Sequence, residues 1–312
     1  MSTKKPANDY TGRAIARFCL LAAVYIGLIF VLPASQRSMH EYMLSPGEYR
    51  ILYLAVSVPF LVSWLAAFIG YSKLSEYADA VATTPEGPSF KRLAQGCAWL
   101  AWGLPIQNFA TLLLYALAAN HSSLHEPVVI VSNYVSLILP LIALSVISSA
   151  SKRLTESANL TFSPVKARSI IMAFIAAGLI YCYLILQHFD LSSLGNTNNP
   201  YYLPLWLMVI TIIIPYLYAW FVGLIAAYEI AIYSRNVKGV LYRQSLSLLI
   251  LGLIAVVVGS IALQYINSAA PRLGYLALNY KLLWVSVFRI IGGIGFVLIA
   301  LGALRLKKIE EV

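Results

Sequence analysis

The chain has 312 residues, of which 60% are hydrophobic and 11% charged, with a mean hydropathy of +0.79 and a formal net charge of +10. A soluble domain carries about 25% charged residues, so this composition excludes a water-facing globular surface and makes lipid much of the solvent. The three cysteines, Cys19, Cys97 and Cys182, lie in apolar stretches, which argues against a loop-stapling disulfide framework.

A helix needs about 20 apolar residues to cross roughly 30 Å of hydrocarbon. Eight windows meet this requirement: 14–33, 50–71, 94–118, 127–149, 167–188, 203–227, 244–267 and 282–304. The expected fold class is therefore all-α, a polytopic helical membrane protein with about eight transmembrane helices. Lys4, Lys5, Arg13 and Arg17 precede the first window as in a signal peptide. Its apolar run is longer than the about 7–15 residues of a cleaved segment, so it reads as a retained helix.

Charge sets the orientation. With the N-terminus inside, the inner segments hold 17 of the 22 Lys and Arg residues, among them Lys73, Lys91, Arg92, Lys152, Arg153, Lys238, Arg243 and Lys307. The outer loops hold Arg37, Arg50, Arg272 and Lys281, and Arg289 falls within the last span. This is the positive-inside pattern. It predicts a cell-membrane protein with both termini cytoplasmic, and it explains the net charge without nucleic acid as a partner. The expected partner is the lipid bilayer, with a small solute or other membrane subunits beside it.

The second and sixth spans share a pattern 156 residues apart. Pro59-Phe60-Leu61-Val62-Ser63-Trp64 leads to Tyr77, and Pro215-Tyr216-Leu217-Tyr218-Ala219-Trp220 leads to Tyr233. The fourth and eighth spans end alike, Leu141–Ser145 before Lys152-Arg153 and Leu298–Gly302 before Lys307-Lys308. The first and fifth match weakly, around Tyr25 and Tyr181. Two parallel four-helix repeats are expected, because an even number of spans returns the chain to the same side. The chain then divides into a cytoplasmic tail 1–13, a first repeat 14–153, a second repeat 154–304 and a cytoplasmic tail 305–312. Pro59 and Pro215 are candidate kinks at matching depths, since a mid-helix proline removes one backbone hydrogen bond. A static bend for packing explains them as well as a hinge does.

Polar side chains in hydrocarbon usually face the bundle interior or water. The candidates for solute binding, or for intramembrane polar contacts, are Arg289, Asn133, Gln107, Asn108 and Gln264. Arg289 is the sharpest, at about 11 Å below the outer face at 1.5 Å per residue, with no carboxylate expected at its depth. It either serves a polar cavity that holds an anionic or carbonyl-bearing solute, or its stem snorkels to the headgroups. Gln107 and Asn108 suit helix-to-helix hydrogen bonds equally well. Glycines at 252, 259, 292, 293 and 295 read as packing surfaces. The 156-residue offset also sets Lys73 against Glu229, an opposite pair for which the sequence offers no role.

No metal, haem, nucleotide or nucleophile motif is present. The four histidines, His40, His121, His125 and His188, fall in or beside outer loops, away from any span centre where haem would be ligated. No cofactor and no enzymatic activity are expected. Two readings of function remain: a carrier or permease for a small solute, and a non-catalytic sensor or accessory subunit of a membrane complex.

Overall fold

The computed structural model describes residues 10–32, 45–118, 125–158, 160, 214–269 and 274–310. Among them are seven helices long and apolar enough to cross a membrane. In chain order these are α1 (Tyr10–Val31), α2 (Pro46–Ala80), α3 (Gly87–Ala118), α4 (His125–Ser157), α5 (Ile214–Asn236), α6 (Val240–Ala269) and α7 (Gly274–Glu310). The chain is an all-helical, multi-pass integral membrane protein. The expected fifth span, 167–188, and residues 203–213 of the sixth lie outside the described residues.

The helices outrun the apolar windows. At 1.5 Å per residue, the 35 residues of α2 extend roughly 52 Å, well beyond the hydrocarbon thickness. The stretch 72–93, expected as a connection, is mostly helix, interrupted only between Ala80 and Gly87. Ser45 begins α2 with a capping box: Ser45 N donates to Glu48 Oε2 at 2.8 Å, and Glu48 N donates to Ser45 Oγ at 3.4 Å. Thr84 holds the turn after α2, its hydroxyl donating to the Val81 carbonyl at 2.9 Å. Glycine is required at 87, where a Cβ would stand within 3.0 Å of backbone atoms of Val81 and Ala82.

Six helices form a closed circuit. α2 packs on α3, α3 on α4, α4 on α5, α5 on α6, α6 on α7, and α7 back on α2. α1 lies outside this circuit, chiefly against α2. Two of the contacts are backbone-close. A Cβ on Gly252 of α6 would meet the Gly295 carbonyl of α7 at 2.6 Å, and one on Gly96 of α3 would meet the Ala143 carbonyl of α4 at 3.2 Å. Small residues allow such approach, and van der Waals packing then drives association in lipid. Gly292 does not share this role among the described residues, none of which lies within 4 Å of where its Cβ would be. α7 and α2 run parallel: Gly293 faces Ser63 and Gly70 faces Ala300, so the numbers rise together.

The end of the bundle formed by the α2–α3 and α5–α6 turns is basic. There α1 is tied to α2: Tyr10 Oη donates to Asp79 Oδ2 at 3.0 Å, and Thr11 Oγ1 to Glu76 Oε1 at 2.9 Å. Lys73 Nζ pairs with Glu76 Oε2 at 2.8 Å. Arg243 donates to the carbonyls of Arg235 and Val237 at 3.3 and 3.5 Å, satisfying the end of α5. Of the cations counted in the sequence, Arg243 therefore also holds a helix end, and Lys73 an ion pair within α2.

Candidate functional site

Arg289 lies on α7 against α2. Its guanidinium carbon sits 4.2 Å from the centroid of the Phe60 ring, a cation–π distance. Phe60 follows Pro59, and the ring stands where the bend of α2 is expected. Pro59 cannot donate to the carbonyl one turn earlier, while Ser63 Oγ donates to the Pro59 carbonyl at 2.7 Å. One turn along α7, Gly293 faces this same stretch of α2, near Ser63 Oγ and the Pro59 carbonyl. The small residue at 293 lets α7 come close enough for the arginine to lie across the ring.

The Arg289 Nε is buried and has no hydrogen-bond partner among the described residues. Among the described residues no carboxylate pairs with it. Tyr53 of α2 and Tyr25 of α1 lie within its electrostatic reach. Tyr25 is enclosed, edge-on to Trp64 at 5.2 Å and to Phe109 at 5.5 Å, and Trp64 stacks on Phe109 at 6.0 Å. The arginine thus borders an aromatic cluster that joins α1, α2 and α3. A guanidinium in this setting keeps its charge-seeking donors while its flat faces are satisfied by rings.

The other sequence candidates are placed less completely. Gln107 and Asn108 are half-buried on α3 beside Phe109. Among the described residues no hydrogen bond joins either to Arg289. Asn133 and Gln264 belong to α4 and α6, but their side chains lie outside the described residues. Pro59 is inside α2, and Pro215 falls in the first described turn of α5.

Two features escaped the sequence reading. Arg50 was assigned to an outer loop, yet it belongs to α2, and its Nε is buried without a partner. Arg50, Tyr53, Ser57 and Phe60 follow at spacings of three and four, so they share one face of α2. Glu229 was placed beyond the sixth span. It lies within α5, only 6% exposed, and its Oε2 has no hydrogen-bond partner. Lys152 and Glu156 of α4 are its charged neighbours. The error came from ending the span at the last unbroken apolar run, whereas α5 continues for two further turns.

No protein-family model, curated protein or solved structure matches the chain.

At the basic end a cavity of about 540 Å³ opens between the α2–α3 and α5–α6 turns. Its polar lining includes Tyr77, Tyr233, Tyr242, Thr84, Glu86 and Lys238. Gln107 and Arg289 do not line it.

Proposed function

We propose that the chain is a carrier for a small solute bearing a carboxylate or phosphate group, with Arg289 as the residue that holds the anion. The observation that carries this reading is the buried, unpartnered Nε of an arginine laid across Phe60 beside the Pro59 position. An arginine in the membrane without a carboxylate requires another anion, carbonyls or water. Its fork of donors matches a carboxylate or phosphate. Arg50, on the same face of α2 and nearer the opposite end, would meet such a solute first.

The architecture behind this reading is two parallel four-helix units. The packing circuit supports it, because the contacts α2–α3, α3–α4 and α4–α5 recur in order as α5–α6, α6–α7 and α7–α2. Gly96 against Ala143 and Gly252 against Ile299 are contacts whose members are each 156 residues apart. Trp64 and Trp220 are both buried, as are Tyr77 and Tyr233. The basic end is the cytoplasmic one by the positive-inside pattern, in the cell membrane. The carrier reading assigns the chain no catalytic activity.

The test is ligand-induced stabilisation of the purified protein in detergent. A ligand that binds the folded state raises the melting temperature according to its concentration over Kd. Over a panel of short-chain carboxylates, phosphate monoesters and inorganic phosphate, at least one should raise Tm by several degrees. That shift should vanish in Arg289→Gln and shrink in Arg289→Lys, whose point charge lacks the fork. A shift that persists in Arg289→Gln, or none with any anion, overturns the proposal.

A second reading is an accessory or sensor subunit. The closed aromatic cluster of Tyr25, Trp64 and Phe109 favours it, since these rings fill the junction of α1, α2 and α3 by packing alone. Under that reading no anion of the panel stabilises the protein.

A further inference from the structure

The cavity at the basic end is lined by both halves of the chain in matched pairs. Tyr77 and Tyr233, Val81 and Val237, Thr84 and Val240, and Glu86 and Tyr242 are each 156 residues apart, and all line it. That is the offset relating Pro59 and Trp64 to Pro215 and Trp220. Under a twofold relation, equivalent residues come together only near the axis. A cavity shared by four such pairs therefore sits where the axis leaves the bundle. Its remaining walls are mostly apolar, with Phe90, Leu241 and Ile309 among them.

The deep wall carries a chain of phenols. Tyr77 Oη donates to Tyr242 Oη at 3.4 Å, and Tyr233 Oη lies 3.4 Å from Tyr242 Oη, with either able to donate. Tyr77 ends α2, Tyr233 ends α5, and Tyr242 begins α6. Glu86, 156 residues before Tyr242, carries no phenol, so the second half alone supplies the bridging hydroxyl. One phenol thereby ties together two helices from different halves. Both bonds are long for O–H···O, whose usual distance is about 2.7–2.8 Å, so the tie is a weak one. The Tyr77 ring also stands edge-on to Phe90 of α3 at 5.0 Å, which fixes one side of the tie while the other rests on the short α5–α6 turn. That turn contains Gly239 at φ +109°, a left-handed conformation that favours glycine.

We propose that the Tyr77–Tyr242–Tyr233 bridge is a closure: it holds the basic ends of the two halves together, and parting it opens the cavity into the space between them. This rests on the four-plus-four architecture proposed above, but not on the solute or on Arg289. In a carrier such a closure is the counterpart of a binding site in the opposite half. The two cannot both be open if solute is to cross without a leak. The expected motion separates α2 from α5 and α6 at this end. It leaves the backbone-close α3–α4 and α6–α7 contacts intact, because each of those pairs lies within one half of the chain.

The experiment uses the full chain in detergent and in inverted vesicles, with Cys19, Cys97 and Cys182 replaced by serine or alanine. Val81→Cys and Val237→Cys are introduced together, and a bifunctional maleimide long enough to cross the cavity is added. The pair should cross-link within one chain in the tyrosine parent. Adding Tyr242→Phe keeps the ring and removes only the bridging hydroxyl. Cross-linking should fall several-fold, while modification of Val81→Cys by a charged methanethiosulfonate should speed up by a similar factor. Tyr77→Phe with Tyr233→Phe should reproduce both effects, which guards against a folding defect peculiar to position 242. Unchanged cross-linking and modification rates in both phenylalanine variants would overturn the closure. So would absence of the cross-link in the parent, which would remove the shared axis as well. A closure that behaves as expected in a protein that no anion stabilises leaves this inference standing and removes the anion carrier.

Discussion

Trp64 is fully enclosed, yet its indole Nε1 has no hydrogen-bond partner. Its hold on the fold is therefore contact between rings, edge-on with Tyr25 and stacked with Phe109. In a soluble core, losing such a side chain costs about 3–5 kcal/mol. Lipid tails are as apolar as the rings, so the transfer part of that cost disappears here and the packing part remains. Trp64→Ala should destabilise by about 2 kcal/mol, and Trp64→Phe by less than half of that, because no hydrogen bond is lost. Reversible unfolding in mixed micelles measures both. Equal losses in the two variants would point to a bond at Nε1 and against pure packing. Residue identity was legible at this position from the sequence, through the proline–tryptophan pattern. The neighbours were not, because Tyr25 and Phe109 stand on other helices.

At the scale of elements, α6 and α7 bring their backbones closest together among the described helix pairs. A Cβ on Gly252 would stand 2.6 Å from the Gly295 carbonyl and 2.9 Å from the Ile299 nitrogen, both backbone atoms that cannot turn aside. Gly252→Ala should therefore force the helices apart and cost about 1–3 kcal/mol. Gly27→Ala and Gly292→Ala meet nothing within 4 Å. They should be neutral or stabilising by about 0.5–1 kcal/mol, as alanine is the better helix former. The same micelle unfolding separates these cases, and a loss in Gly292→Ala equal to that in Gly252→Ala would contradict the packing described. From the sequence all these glycines looked alike. Spacing told which could share a face, and only the partner helix told which face was covered. The same ambiguity affected element ends. Apolar windows mark the hydrocarbon, whereas the helices of this chain continue past it, so that Glu229, beyond the sixth window, still belongs to α5.

For the whole molecule, orientation is the first thing to test. A cysteine at Thr84, in the α2–α3 turn at the basic end, should stay unlabelled by an impermeant maleimide in intact cells and react once they are opened. A cysteine at Ser123 should react in intact cells. The reverse pattern would place the basic end outside and invert the proposed direction of the carrier.

The class of this protein was legible in its sequence alone, as were the apolar runs of the seven described helices. Hydrocarbon thickness fixes how long an apolar run must be, and the cost of an unsatisfied backbone in lipid allows such runs one conformation. The sequence also singled out Arg289, because charge in an apolar window stands out without any knowledge of contacts. Only the tertiary structure decided what Arg289 touches. Phe60 lies more than two hundred residues earlier in the chain, and the approach of α7 to α2 depends on Gly293 facing Ser63. It likewise decided that Tyr77, Tyr233 and Tyr242 meet. In lipid nearly every apolar helix face is equally at home, so hydropathy does not say which faces pair. Close packing of small residues and a few polar contacts make that choice, and these depend on positions far apart in the chain.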